Sequence, residues 1–355
     1  AQAEENSVLT ALSSTVISGS VEASYVGGFS TNNNMHNDGG FEANGASLEI
    51  GSPLGEGDYS ASYNVGLLFG NRAGAFAGDD STQHLKNANI GMNLPFGNGV
   101  DLTLGLFDTT VGYEVEASAS NPNVFRSYGY AQEPLTHTGL LAATSLTDGL
   151  SVSFALTNGF DSSNGDNDGG GQLGYVLGAE LAVPDSLGFL GGSSIYVGYV
   201  NGNDDGNMTA PADGDTPASY NTDDNTLLYI GASINTPIEG VAIGVAYDDR
   251  QWNGNGESSS VGLYATYSLS EDASISVRYD NGTVDPVGAG EDSVENLAVT
   301  LDYSIWENVK TRFELGWESG AGAIGTANLS PFRNVYDGNP AGSSSYFALN
   351  AFYSF

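Results

Sequence analysis

The sequence predicts an all-β fold: a transmembrane, up-and-down antiparallel β-barrel of sixteen strands, with long extracellular loops and short periplasmic turns. Three observations carry this. Apolar and polar residues alternate with a period of two over stretch after stretch. Most stretches are about ten residues, the length a tilted strand needs to cross a bilayer. The connections alternate between short turns and long polar loops.

Residues 1–15 lack the alternation. Val8 and Leu9 lie four and three residues before Leu12, after Glu4 and Glu5, which fits a short helix on the periplasmic side. A disordered tail fits as well. The opening Ala1-Gln2-Ala3 reads as the remainder of a signal-peptidase site, and so as a mature exported protein.

The barrel, one domain over 16–355, follows. In the first segment Ile17, Gly19, Val21, Ala23 and Tyr25 alternate with Ser18, Ser20, Glu22 and Ser24. Further segments span 45–53, 58–69, 84–95, 99–107, 133–146, 150–160, 173–184 and 194–202. The rest span 226–237, 240–252, 258–269, 273–282, 294–305, 309–319 and 345–355. Short turns include Pro53–Asp58, Pro95–Gly99, Thr147–Gly149, Pro237–Glu239, Ser270–Asp272 and Glu307-Asn308. The long set is 27–44, 70–83, 108–132, 161–172, 203–225, 283–293 and 320–344, with the shorter 253–257 in the same order.

A soluble β-sandwich would also alternate. Strand length, Tyr and Phe near the strand ends, and a final strand closing on Phe355 favour the barrel. Lipid offers no hydrogen-bond partners, so a spanning sheet must close on itself. Sixteen strands enclose a lumen too wide for side chains to fill, which leaves an aqueous channel.

Composition narrows the function. The chain has 355 residues, 8 Lys+Arg against 43 Asp+Glu, a net charge of −35, 50 Gly and no Cys. So few basic residues argue against nucleic acid as a partner. The missing cysteines exclude thiol catalysis and Cys-ligated metal centres. No Gly-x-Ser-x-Gly elbow, P-loop or dinucleotide fingerprint occurs, so the chain reads as a non-enzyme without a cofactor. His36, His84 and His137 sit apart, which argues against zinc. The acidic run 161–169 offers Asp166 and Asp168 as weak Ca2+ candidates, but the spacing completes no EF-hand loop.

Residues 106–141 carry a resemblance. They include Leu106-Phe107-Asp108-Thr109-Thr110-Val111-Gly112-Tyr113-Glu114-Val115, then Asn121-Pro122-Asn123, Arg126-Ser127 and Pro134-Leu135-Thr136-His137-Thr138-Gly139. This run, with Val8–Ser14 before the first strand, resembles the outer-membrane porin-2 (OmpL-like) family of β-barrels. The architecture is similar to that of general diffusion porins. The resemblance implies a barrel in the outer membrane of a Gram-negative-type bacterium, passing small hydrophilic solutes and ions. It implies a homo-oligomer, a trimer by analogy, and a loop after the fifth strand folded inward as a constriction. It implies no catalytic residue.

That loop, 108–132, carries Asp108, Glu114, Glu116 and Arg126, with Glu133 at its close, which would set charge beside permeating ions. A solvated loop over the mouth is the alternative. The strand parity turns Glu22 and Glu49 inward, and likewise Asp248, Arg250, Arg278, Asp280, Lys310, Arg312, Glu314 and Glu318. The basic members would form one half of a transverse field, or pair locally, Arg278 around Asp280 and Lys310 or Arg312 with Asp302. Lys86 shares parity with lipid-facing Ala88, Ile90 and Met92, which puts it at the outer rim unless the register slips by one. The excess of acid favours cations. Two other readings stay open: a non-conducting barrel serving as adhesin or surface-layer anchor, and a solute-selective channel.

Overall fold

The computed structural model describes residues 14–29, 40–55, 57–77, 82–161, 173–203, 208–210, 219–220, 224–252, 256–286, 291–321 and 341–355. Sixteen antiparallel strands close into one barrel. In chain order they are β1 Val16–Phe29, β2 Gly40–Ser52, β3 Ala61–Phe69, β4 Gln83–Leu94, β5 Val100–Asp108, β6 Thr136–Thr147, β7 Leu150–Thr157 and β8 Gly174–Ala182. Then come β9 Ser194–Asn203, β10 Asp224–Asn235, β11 Val241–Trp252, β12 Gly256–Ser268, β13 Ala273–Pro286, β14 Asp292–Trp306, β15 Val309–Ala321 and β16 Ala341–Ser354. Each expected segment has its strand. The Ca2+ candidates Asp166 and Asp168, and residues 1–13 of the N-terminal segment, lie outside the described residues.

Every strand pairs with its sequence neighbour, and β1 closes the ring on β16 through Val21↔Tyr353 and Ser24↔Asn350. No edge is left unpaired within the ring. The outer face is apolar: Leu297, Val299 and Leu301 of β14 and Phe313, Leu315 and Trp317 of β15 are all exposed. Aromatics crowd the periplasmic ends, with Tyr267, Tyr303, Trp306, Tyr353 and Phe355 exposed there. No helix among the described residues is long and apolar enough to cross a membrane.

Two short helices interrupt the extracellular side. Helix α1 is Asn71–Ala77, inside what the sequence presents only as a long loop, and α2 is Tyr128–Gln132. On the other side, the β8–β9 connection holds a 3-10 segment, Asp185–Leu190. A two-stranded ribbon, Met208–Ala210 with Ser219–Tyr220, stands beyond β9.

One register break matters for the lumen. On the β3–β4 ladder Gly66 pairs with Asn87, but Leu67 pairs with Leu85. Lys86 is therefore an extra residue, a β-bulge, and the parity flips across it. Leu85 faces out at 37% exposure, while His84, Lys86 and Asn87 are all buried. Lys86 is thus a lumen residue and not an outer-rim one.

Candidate functional site: an inward loop and the wall it lies on

The third extracellular connection, 109–135, joins β5 to β6. It enters the barrel and runs along the inner faces of β11 to β16. The outgoing leg starts against an apolar patch. Val111 packs with Phe107, Phe160, Val200, Leu227, Tyr229 and Tyr264, and Tyr113 stacks on Tyr264 at 4.2 Å between centroids. Burial of this kind contributes about 25 cal/mol per Å2 of apolar surface removed from water.

The tip, 115–123, folds on itself. Asn121 accepts from Val115 N at 2.8 Å and donates to the carbonyls of Val115 and Ala117 at 2.7 and 2.9 Å. Ser118–Ser120 forms a single 3-10 turn. Arg312 of β15 clasps this turn from below. Its guanidinium donates to the carbonyl oxygens of Ser118 (2.8 Å), Ala119 (3.3 Å), Asn121 (2.6 Å) and Asn123 (3.4 Å), and its Nε to Asp302. A planar fork of five donors suits such a cluster of carbonyls, which a point charge like lysine could not span.

The return leg is stitched by acids and one more arginine. Glu314 accepts from Val124 N at 2.6 Å and from Thr300 Oγ1 at 2.6 Å. Asp280 accepts from Tyr128 N at 3.1 Å, and the Tyr128 hydroxyl donates to Glu318. Phe125 packs edge-on against Tyr346 at 4.7 Å. Ser127 caps α2, its Oγ accepting from Tyr130 N at 3.2 Å. Ser127 N and Oγ both donate to Glu114, at 2.7 and 2.6 Å, so Glu114 ties the two legs together.

Arg278 sits at the centre, 1% exposed. It pairs with Asp280 at 2.8 Å and Glu114 at 3.3 Å, and donates to Asn296 at 3.2 Å and to the Phe125 carbonyl. A buried cation needs such complete pairing, because desolvation costs several kcal/mol per ion. Further up the wall Arg250 donates to the Gln132 carbonyl at 3.2 Å and lies over Phe160, while Ser258 donates to Gln132 Oε1 at 2.8 Å. At the foot of the return leg Glu133 meets Asp248. Burial, Asp248 and Glu114 together hold the Glu133 carboxyl well above the usual range.

The remaining candidates fall as follows. Glu116 is bound by Arg72 of α1 through two contacts, one of 2.8 Å, and Arg72 also reaches Ser20 of β1 at 3.3 Å. Arg126 donates to the carbonyls of Val115, Val124 and Glu116 and stacks over Tyr130. Asp108 ends β5, pairs with Lys86 at 2.8 Å and keeps 54% of its side chain exposed. Glu22 is buried, accepting from Asn44 and Asn350 at 3.2 and 2.7 Å. Glu49 stands beside Gly66 and Asn87 on the β2–β4 wall, and Lys310 is half-buried near the periplasmic end of β15.

Glu114 is therefore covered by the loop and does not flank its free side. Sequence reasoning names Glu133 at the close of the loop but not its partner Asp248, and it leaves Lys86 between the outer rim and a slipped register. It misses Arg72 as a member of the site, which only the loop's own contacts reveal. His137, 0% exposed, accepts or donates to Thr109 Oγ1 at 3.1 Å and closes the loop's base. Among the described residues no group of three or more His, Asp or Glu side chains is arranged to hold a metal.

With that geometry in place, the chain belongs to the putative beta-barrel porin-2, OmpL-like family, whose model matches residues 14–355. Solved outer-membrane barrels share the fold at low identity. OmpT of Vibrio cholerae, expressed in the outer membrane, has TM-score 0.65 and 12% identity, over 96% of this chain and 97% of that one. Salmonella typhi OmpF, in complex with daunomycin, has TM-score 0.65 and 13% identity over 96% and 97%. An anion-selective porin from Comamonas acidovorans has TM-score 0.61 and 12% identity over 96% and 99%. The comparison with curated proteins finds no match. The chain is thus an outer-membrane channel protein of the porin kind.

Proposed function

We propose that this barrel is a passive diffusion channel for small hydrophilic solutes and ions, that loop 109–135 is its constriction, and that it prefers cations. The observation that carries the reading is the division of charge around the lumen. The arginines of β13 and β15 are consumed by the loop that covers them. Among the described residues, no inward loop of that kind lies over the wall of β2 to β5. Its inward charges are Glu42, Glu49, Asp101 and Asp108 against Lys86 alone, which already pairs with Asp108. Acidic groups beside a pore raise the local cation concentration.

Passage requires no chemistry. Solutes move down their gradient, and the wall acts through size and field. A homo-oligomer, trimeric by analogy, belongs to the same proposal, with β16 and β1 in its contact face. Cross-linking in native membranes tests it, and a purely monomeric product would remove it.

Single-channel recording across a salt gradient tests the channel. Ohmic steps with a reversal potential of cation sign are expected. Folded, heat-modifiable protein that conducts nothing would overturn diffusion in favour of a barrel that presents its loops as an adhesin or anchor.

A further inference from the structure

The Glu133–Asp248 contact has an unbalanced chemistry. Both groups are carboxyls, 7% and 0% exposed, and each is in hydrogen-bonding contact with the other. Glu133 ends α2, and Asp248 projects inward from mid-β11. The backbone closes over the pair at two glycines. A Cβ on Gly129 would lie 2.4 Å from Asp248 Oδ2, and one on Gly112, at φ +111°, would lie 2.2 Å from Glu133 Oε2. Asp248 Oδ2 accepts from Ser260 Oγ at 3.2 Å. Asp248 Oδ1 is buried and has no donor among the described residues.

Two ionised carboxylates cannot hydrogen-bond, whereas two carboxyls holding one proton can. We propose that Glu133 and Asp248 share a single proton at neutral pH, and that this proton fastens the return leg of loop 109–135 to β11. That makes them positioning residues for the constriction. Only the consequence for conduction rests on the channel reading above.

The surroundings supply no substitute. On the loop, Glu114 adds negative charge, Tyr113 donates its backbone N–H to Glu133, and Tyr130 stands nearby. Tyr229 of β10 and Tyr264 of β12 are buried phenols on the adjoining wall. From β13, Arg278 is taken by Glu114 and Asp280. Arg250, on β11 itself, is directed to the Gln132 carbonyl and the rings of Phe160 and Trp252. Neither carboxyl has a cation in ion-pair contact among the described residues.

The test is infrared spectroscopy of the folded, detergent-solubilised chain, which reads the carbonyl stretch of a protonated carboxylic acid directly. Wild type at neutral pH should show this band. Glu133→Gln and Asp248→Asn, each verified as folded by heat-modifiability, should each lose one acid proton's worth of it, because the remaining carboxylate can accept an amide N–H while ionised. A wild type without the band, or an Asp248→Asn variant that keeps all of it, would overturn the shared proton. The band is readable whether or not the barrel conducts, so its failure and that of the channel reading are distinguishable. In bilayers, raising the pH should increase wild-type closing events severalfold and leave Glu133→Gln unchanged. An equal alkaline response in both would also overturn the proposal.

Discussion

The wall of β11 to β15 and the wall of β2 to β5 face each other across one lumen, yet they use charge in opposite ways. On the first, Arg278 and Arg312 are 1% and 3% exposed and meet backbone carbonyls of the loop. On the second, Asp108 keeps 54% of its side chain exposed and the one cation is a lysine in a bulge. The same residue types are thus structural where the loop lies on them and available to solutes where it does not. Strand parity alone cannot separate these fates.

The largest test of that contrast is Arg278→Met. It leaves Glu114 and Asp280 buried without their partner, a loss of about 3–5 kcal/mol. Loop 109–135 should detach, seen as new proteolytic cleavage within it and noisier conductance. An unchanged digestion pattern would show that the arginine does not hold the loop. Arg312→Gln should cost less, about 1.5–3 kcal/mol for hydrogen bonds to a charged donor, with the effect confined to the tip 118–123. Hydrogen exchange resolved by residue checks this.

The return leg should respond to pH. The folded state holds the Glu133 proton more tightly than the unfolded chain does, since burial beside Asp248 and Glu114 raises it above the ordinary 4.5. Its contribution is therefore full below that ordinary value and falls as pH rises toward the elevated one. Protease protection of 128–133 should decline over that window, and a decline toward acid instead would contradict the assignment.

On the open wall the effects are electrostatic and smaller. Removing one charge about 10 Å from the ion path changes its energy by about 0.4 kcal/mol in water, roughly a twofold shift in selectivity. Glu49→Gln should lower cation preference, and Lys86→Gln should raise it, both read from reversal potentials.

Much of the molecule is legible in the sequence because period-two patterning is a local property. Phe313, Leu315 and Trp317 alternate with Arg312, Glu314 and Gly316, and this places all of them without knowledge of any partner strand. Legibility stops where contacts become distant. Arg312 lies about 190 positions from the carbonyls it clasps, a separation of 191 to Asn121, and no spacing rule reports that. Helix α1 is hidden for a different reason: seven residues with two alanines either side of a glycine carry too little periodicity to register. Lys86 is left between two placements because a bulge breaks the rule on which the reading rests.

That bulge has a consequence for how the chain tolerates change in length. Deleting a residue from a regular strand turns one side of the remaining segment over, sending its lipid-facing residues inward. At Lys86 the ladder already carries a supernumerary residue, and its removal would bring Leu85 and Asn87 together opposite Gly66 and Leu67, healing the register without inverting either flank. Strand β4 therefore contains a point where the gene could lose a codon and keep the barrel, at the sacrifice of the open wall's only cation.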